Sequence, residues 1–202
     1  IGNHPSGTET LGSIGTNTWA DGADGLVCAT MYPVLQNEVI NNVRTYITSS
    51  SVAGAEVILY ILDSIDMASW NYGAAYFTSD IYTLTQNDIS LGYFDIPVLY
   101  QNSDGSWSHL DVMPGNYYAA VELYSSGNTF DVRIVDDATV PQPAWQSSIY
   151  YPNDQVYSNG NAFAIQLMLG ANTSVSETVL ENVSVFPNPS NGIINIKSSS
   201  DE

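Results

Sequence analysis

Apolar runs broken at short intervals by turn-forming residues dominate this sequence, and no stretch sustains a helical spacing beyond a single turn. That pattern restricts the chain to sheets, because period-two alternation places one set of side chains on one face of a strand. Residues 38–48 (EVINNVRTYIT) put Val39, Val43 and Ile47 on one parity. Residues 56–62 (EVILYIL) are apolar on both parities, which predicts a strand covered on both sides or central in a sandwich. Residues 93–100 read as a strand interrupted by Pro97, which marks an edge or a bulge because proline donates no ladder hydrogen bond. After turns at Ser103-Asp104-Gly105 and Pro114-Gly115-Asn116 comes an alternating strand at residues 117–124 (YYAAVELY). Past Ser126-Gly127-Asn128, residues 130–135 (FDVRIV) alternate again. Residues 162–169 (AFAIQLML) point Phe163, Ile165, Leu167 and Leu169 one way. One short helical turn is expected at residues 85–90. The expected fold is all-β: an antiparallel two-sheet β-sandwich of jelly-roll type, with an immunoglobulin-like topology as the alternative.

Charge narrows the partners. Three basic residues face 21 acidic ones, for a formal net charge of −18. Nucleic acid is excluded, since binding phosphates requires cations that replace condensed counterions. Anionic membrane surfaces are disfavoured for the same reason. Cations are attracted instead, and calcium suits carboxylate and carbonyl oxygens. Cys28 is the single cysteine, so no internal disulfide framework forms, and it reads as a small buried apolar side chain. No run approaches the ~18 apolar residues of a membrane helix. Residues 1–6 carry neither a basic region nor an apolar run, as expected of a mature or cut form of an exported chain.

Three parts are expected: a β-sandwich domain at residues 1–170, a polar linker at 171–182 (ANTSVSETVLEN), and a terminal piece at 183–202. In that piece two short apolar runs flank a Pro-Asn-Pro-Ser-Asn-Gly turn, a hairpin signal. Some 20 residues bury too little surface to fold alone. The run Val185-Phe186-Pro187-Asn188-Pro189, followed by Ser190-Asn191-Gly192, Ile194 and Ile196, resembles the opening of the type IX secretion sorting domain of Bacteroidota. That resemblance implies recognition by the type IX secretion machinery and a secreted or outer-membrane cell-surface location. It covers about a tenth of the chain, and the later strands and terminal basic residues of that family's tail do not appear, so it implies a truncated signal. The segment over residues 82–121 (YTLTQNDISLGYFDIP, then MPGNYYAAV) is similar in cadence to jelly-roll carbohydrate-binding and protease-associated modules.

Three constellations carry candidate chemistry. Trp70, Tyr72, Trp107, Trp145 and Tyr151 lie among turn formers, where an exposed ring stacks on the C–H face of a sugar while nearby Asn and Asp bind its hydroxyls. The competing reading has these rings capping the ends of the sandwich. Asp21 and Asp24, within Asp21-Gly22-Ala23-Asp24-Gly25, are candidate calcium ligands in flexible turns, against solvated turn acids; the spacing is not that of an EF-hand. Asp136 with Asp137 and Asp63 with Asp66 are weaker versions. Glu122, mid-strand, and Glu56, at a strand start, form a candidate glycosidase pair if both face one cleft. His4 and His109 read as ordinary histidines. Three functions stay open: a non-catalytic binding or adhesion module for polysaccharide or cell-surface glycan, a small secreted glycoside hydrolase, and a structural spacer of a larger secreted enzyme.

Overall fold

Where both parities of a run are apolar, the strand it forms has to be covered twice, and that requirement organises this protein. The computed structural model describes residues 1–7, 10–18, 24–170, 183–186 and 195–198. In chain order come strands β1 (Leu11–Gly15), β2 (Leu26–Val34), β3 (Glu38–Tyr46) and β4 (Glu56–Asp63), then helix α1 (Ser64–Ser69). Two short strands, β5 (Phe77–Thr78) and β6 (Tyr82–Thr83), precede helix α2 (Gln86–Leu91). There follow β7 (Tyr93–Pro97), β8 (Leu99–Gln101), β9 (Trp107–Val112), β10 (Gly115–Tyr124) and β11 (Arg133–Pro141). Strands β12 (Ser147–Tyr150), β13 (Val156–Ser158), β14 (Asn161–Phe163) and β15 (Ile165–Gly170) complete the sandwich.

The fold is all-β, with antiparallel sheets packed face to face. A seven-stranded sheet runs β13-β12-β2-β10-β4-β5, with β6 also on β4. Opposite it, a five-stranded sheet runs β15-β3-β9-β8, with β7 also on β3; β1-β11-β14 form a third, smaller sheet. Leu26, Cys28, Leu59, Ile61, Val121 and Leu123 from the first sheet meet Ile40, Val43, Phe94, Ile165 and Leu167 in one buried core. The outward face of the first sheet holds a second apolar cluster, in which Tyr60, Leu62, Tyr118 and Ala120 are covered by Met67 of α1. Both faces of β4 are thus buried, as its sequence requires.

Local chemistry explains both helices. At α1 the Asp63 carboxylate accepts hydrogen bonds from the Ile65 and Asp66 amides, both at 2.8 Å, satisfying donors that the first turn leaves unpaired. At α2, Thr85 and Asp88 form a capping box and Gly92 closes the helix in the left-handed region. This second helix is the short turn expected at residues 85–90.

Four sequence expectations are corrected. Pro114-Gly115-Asn116 is not a turn throughout: β10 already begins at Gly115, where Gly115 and Asn116 pair with Val34 and Pro33 of β2. Residues 130–132 are not strand: the Phe130 and Thr129 amides donate to Ser125 O and complete a turn, so β11 starts at Arg133. Val39 does not share the inward face with Val43; a bulge at Asn41 shifts the parity and sends Ile40 inward instead. Residues 162–169 are two strands, not one, since the chain leaves β11 for β3 at Ala164.

The chain divides into two units, Ile1–Ala171 and Asn172–Glu202. In the second, Val183–Phe186 pairs antiparallel with Asn195–Ser198, the pairing that the two terminal apolar runs lead one to expect. The linker at residues 171–182 and the turn between these strands lie outside the described residues. No helix among the described residues is long and apolar enough to cross a membrane.

Candidate functional site

A sandwich has open edges, and here one of them forms a groove. The seven-stranded sheet ends in β5 and β6, each only two residues long, and the five-stranded sheet ends in β8. Residues 75–82 make one wall and residues 96–107 contribute the other, enclosing about 580 Å³. That volume is within the usual ~300–1,000 Å³ of ligand sites.

Each wall is shaped by a specific device. Ser79 interrupts the first: its amide donates to Leu59 O at 2.9 Å, its hydroxyl accepts from the Leu59 amide at 2.9 Å, and the same hydroxyl donates to Asp80 O at 2.7 Å. A side chain therefore takes the place of a ladder carbonyl, and Asp80 and Ile81 beyond it stand exposed. On the second wall Pro97 ends β7, where the chain changes partners; β7 pairs with β3, whereas β8 pairs with β9. The turn joining β8 to β9 is held by Asp104, which accepts from the Ser106 amide at 2.9 Å and the Ser106 hydroxyl at 2.6 Å, with Gly105 at φ +85° as such a turn demands. Trp107 follows directly and pairs with Gln101.

Rings on both walls face solvent: Tyr76 is 54% exposed, Tyr100 40% and Trp107 64%. Tyr82 forms part of the lining and stacks on the buried Phe94 at 5.5 Å. Asp80 is the one charged residue among the described residues of the lining. Among the described residues it takes part in hydrogen bonding through its carbonyl alone. The described arginines are engaged elsewhere. Arg44 makes a bidentate pair with Asp95 at 2.8 and 2.9 Å on the outer face of the other sheet, and Arg133 donates to Ser13 and Asn17.

The other sequence candidates sit apart from this groove. Trp70 closes α1 at φ +47° and stacks on Tyr150 at 5.1 Å, with Tyr72 and Tyr60 around it. This cluster lies over the outward face of the seven-stranded sheet, and Tyr72 is its exposed ring. Trp145, 51% exposed, borders a separate apolar cleft of about 270 Å³ with Met31, Met67, Tyr118 and Val156. Tyr151 is no loop-tip ring; it packs against the main core. Nor is Trp107 a loop residue, since it opens β9.

Glu122 and Glu56 occupy one face of the seven-stranded sheet, as diagonal neighbours on β10 and β4. Glu122 is only 8% exposed and accepts a hydrogen bond from Tyr60 Oη at 2.7 Å. Burial, with Glu122 beside them, pushes the Tyr60 and Tyr124 hydroxyls well above the ordinary phenol range. Neither glutamate lines the groove or the cleft. Around Glu122 this face of the sheet is packed with Tyr60 and Tyr124.

Asp21 lies outside the described residues. Asp24 caps the turn after β10: its Oδ1 accepts from the Ser125 amide at 2.6 Å and the Ser125 hydroxyl at 2.7 Å, and its Oδ2 from the Gly127 amide at 3.0 Å. Partial burial works against its charge, but these hydrogen bonds outweigh that and hold the carboxyl below its ordinary value of 3.8. Its stabilising contribution is thus whole above that value and is lost as pH falls through the lower folded-state value. Asp24→Ala is expected to lower the urea midpoint clearly at neutral pH and by much less in strong acid; equal losses at both would contradict this role.

The weaker acid pairs also serve the fold. Asp63 caps α1, and the Asp136 carboxylate accepts from the side-chain Nδ2 groups of Asn159 and Asn161 at 2.8 Å each. Asp137 accepts from the Asn3 side chain and from Thr139. Among the described residues no group of three or more acidic, histidine or cysteine side chains is placed to hold a metal. Cys28 lies fully buried, where burial and then Asp136 push its thiol well above the ordinary range. His109 Nδ1 lies 3.0 Å from Val98 O, and His4 contacts Tyr46.

Asp80, Tyr76, Tyr100 and Gln101 carry no motif. The one legible trace is the Asp104-Gly105 turn, which places Gln101 and Trp107 opposite each other on a hairpin. Comparison with family models, with curated proteins and with solved structures found no match to this chain.

Proposed function

We propose that this protein is a non-catalytic glycan-binding module acting outside the cell, and that the edge groove is its binding site. One observation carries the reading: solvent-exposed rings stand on both walls of one groove beside a carboxylate that bonds to no other described residue. Ring faces take up the C–H faces of sugars, and the carboxylate and phenols take up hydroxyls. The crossing order of β2-β10-β4 against β3-β9-β8 supports a jelly-roll form of the sandwich, and the terminal Pro-Asn-Pro segment supports export by the type IX route. The hydrolase reading has less support, because acid–base glycoside cleavage uses two carboxylates flanking the bond, and Asp80 is the one acid among the described residues of this lining.

Affinity electrophoresis against hydroxyethylcellulose, β-mannan, arabinoxylan and laminarin tests it. Retardation by at least one is expected, with tryptophan fluorescence changing on binding. Trp107→Ala is expected to weaken that binding about tenfold, the ~1.4 kcal/mol of one lost ring contact. Free migration through all four gels would sink the proposal.

A further inference from the structure

We propose that the groove selects uncharged glycan chains and rejects polyanionic ones, with Asp80 setting that preference. The inference rests on the glycan-binding reading and deepens it.

Recognition of a uronate or sulfate calls for cations, arginine above all, whose fork matches the anion's oxygens. Among the described residues the lining holds none. Arg44 is spent on Asp95, and its guanidinium lies 3.9 Å over the Tyr93 ring, on the outer face of the five-stranded sheet. Arg133 is spent on Ser13 and Asn17, across the third sheet. What the groove does present is one exposed carboxylate, placed beside Ser79 so that its own backbone carbonyl takes the serine hydroxyl and its side chain is left to solvent.

An uncommitted carboxylate accepts hydrogen bonds from the hydroxyls of a neutral sugar held against Tyr76, Tyr100 or Trp107. The same carboxylate repels an acidic substituent at that position. A net charge of −18 adds a long-range repulsion of polyanions. Salt separates the two effects from ring stacking, since exposed charges are screened beyond about 10 Å at ~0.1 M ionic strength, whereas stacking does not depend on charge.

The test begins with the neutral glycan that retards the protein in the panel above. That polymer is lightly carboxymethylated, and both forms are titrated against the whole chain by calorimetry at low and high salt. At low salt the neutral form is expected to bind at least about tenfold more tightly, and the ratio is expected to shrink when exposed charges are screened at high salt. Asp80→Asn is expected to cut the low-salt ratio to about threefold or less. Asp154→Asn removes the same charge in the β12–β13 turn, at the opposite edge of the seven-stranded sheet, and is expected to leave the ratio unchanged. Equal binding of the two forms by the wild type overturns the charge preference while leaving glycan binding intact. An unchanged ratio in Asp80→Asn, or an equal fall in Asp154→Asn, removes Asp80 from the explanation. Failure of every neutral glycan to bind overturns the glycan reading, and this inference with it.

Discussion

The double variant Tyr100→Ala/Trp107→Ala is expected to lose glycan binding by about a hundredfold or more while its unfolding midpoint stays close to that of the wild type. Both residues stand on the β8–β9 hairpin wall of the groove. Aromatic anchors that become buried by a partner each carry up to about 2 kcal/mol or more, and tenfold in affinity is about 1.4 kcal/mol. Two rings on one wall bind adjoining parts of one ligand, so their losses compound. Stability is spared because Trp107 is 64% exposed and Tyr100 40% exposed in the free protein, and exposed side chains away from caps and cores change stability by only ~0.5 kcal/mol. Calorimetric titration paired with urea unfolding separates the two outcomes. A variant that still binds within threefold would place the site elsewhere, and one that unfolds early would make these rings structural.

Phe163→Ala is expected to be among the most destabilising single substitutions, lowering the unfolding free energy by about 3–5 kcal/mol. Phe163 is fully buried and ends β14, paired with Asp136 of β11. One residue later the chain begins its run along β3, after the Ala164 amide has donated to Val135 O at 3.0 Å. The ring thus fills the core where the third sheet meets the main sandwich. Its loss leaves a cavity that two sheets cannot both close. Against a typical total of 5–15 kcal/mol, a loss of that size is large. A denaturant midpoint shift equivalent to less than 1 kcal/mol would show that the site collapses freely and that the junction is not close-packed.

Much of the sandwich is legible along the chain, for reasons that lie in particular residues. Residues 56–62 are apolar on both parities, which demands a doubly covered strand, and β4 is covered by the opposite sheet and by α1. Thr85, Asp88 and Gly92 mark α2 because caps act within a few residues. Strand β2 escapes such reading, since a run buried on both faces shows no alternation, and its place between β12 and β10 depends on partners far away in sequence. The bulge at Asn41 and the sheet change at Ala164 escape it too, as each answers to a register imposed from another strand.

The binding residues divide along the same line. Trp107 stands out from its turn alone, a local signal that any hairpin would repeat. Tyr76 and Asp80 on one wall and Tyr100 on the other become neighbours only because the edges of two sheets are brought face to face. Glu122 runs the opposite way: a mid-strand acid looks catalytic in sequence, but Tyr60 and Tyr124, one of them 62 residues away, turn it into part of the packing. Sequence by itself determined the all-β class, the turns at Ser103-Asp104-Gly105 and Ser126-Gly127-Asn128 and the strong negative charge, because each of these follows from neighbours along the chain. Tertiary structure decided which strands are central, which acids are buried and which rings share a groove, because sheet edges are assembled from segments that no local rule connects.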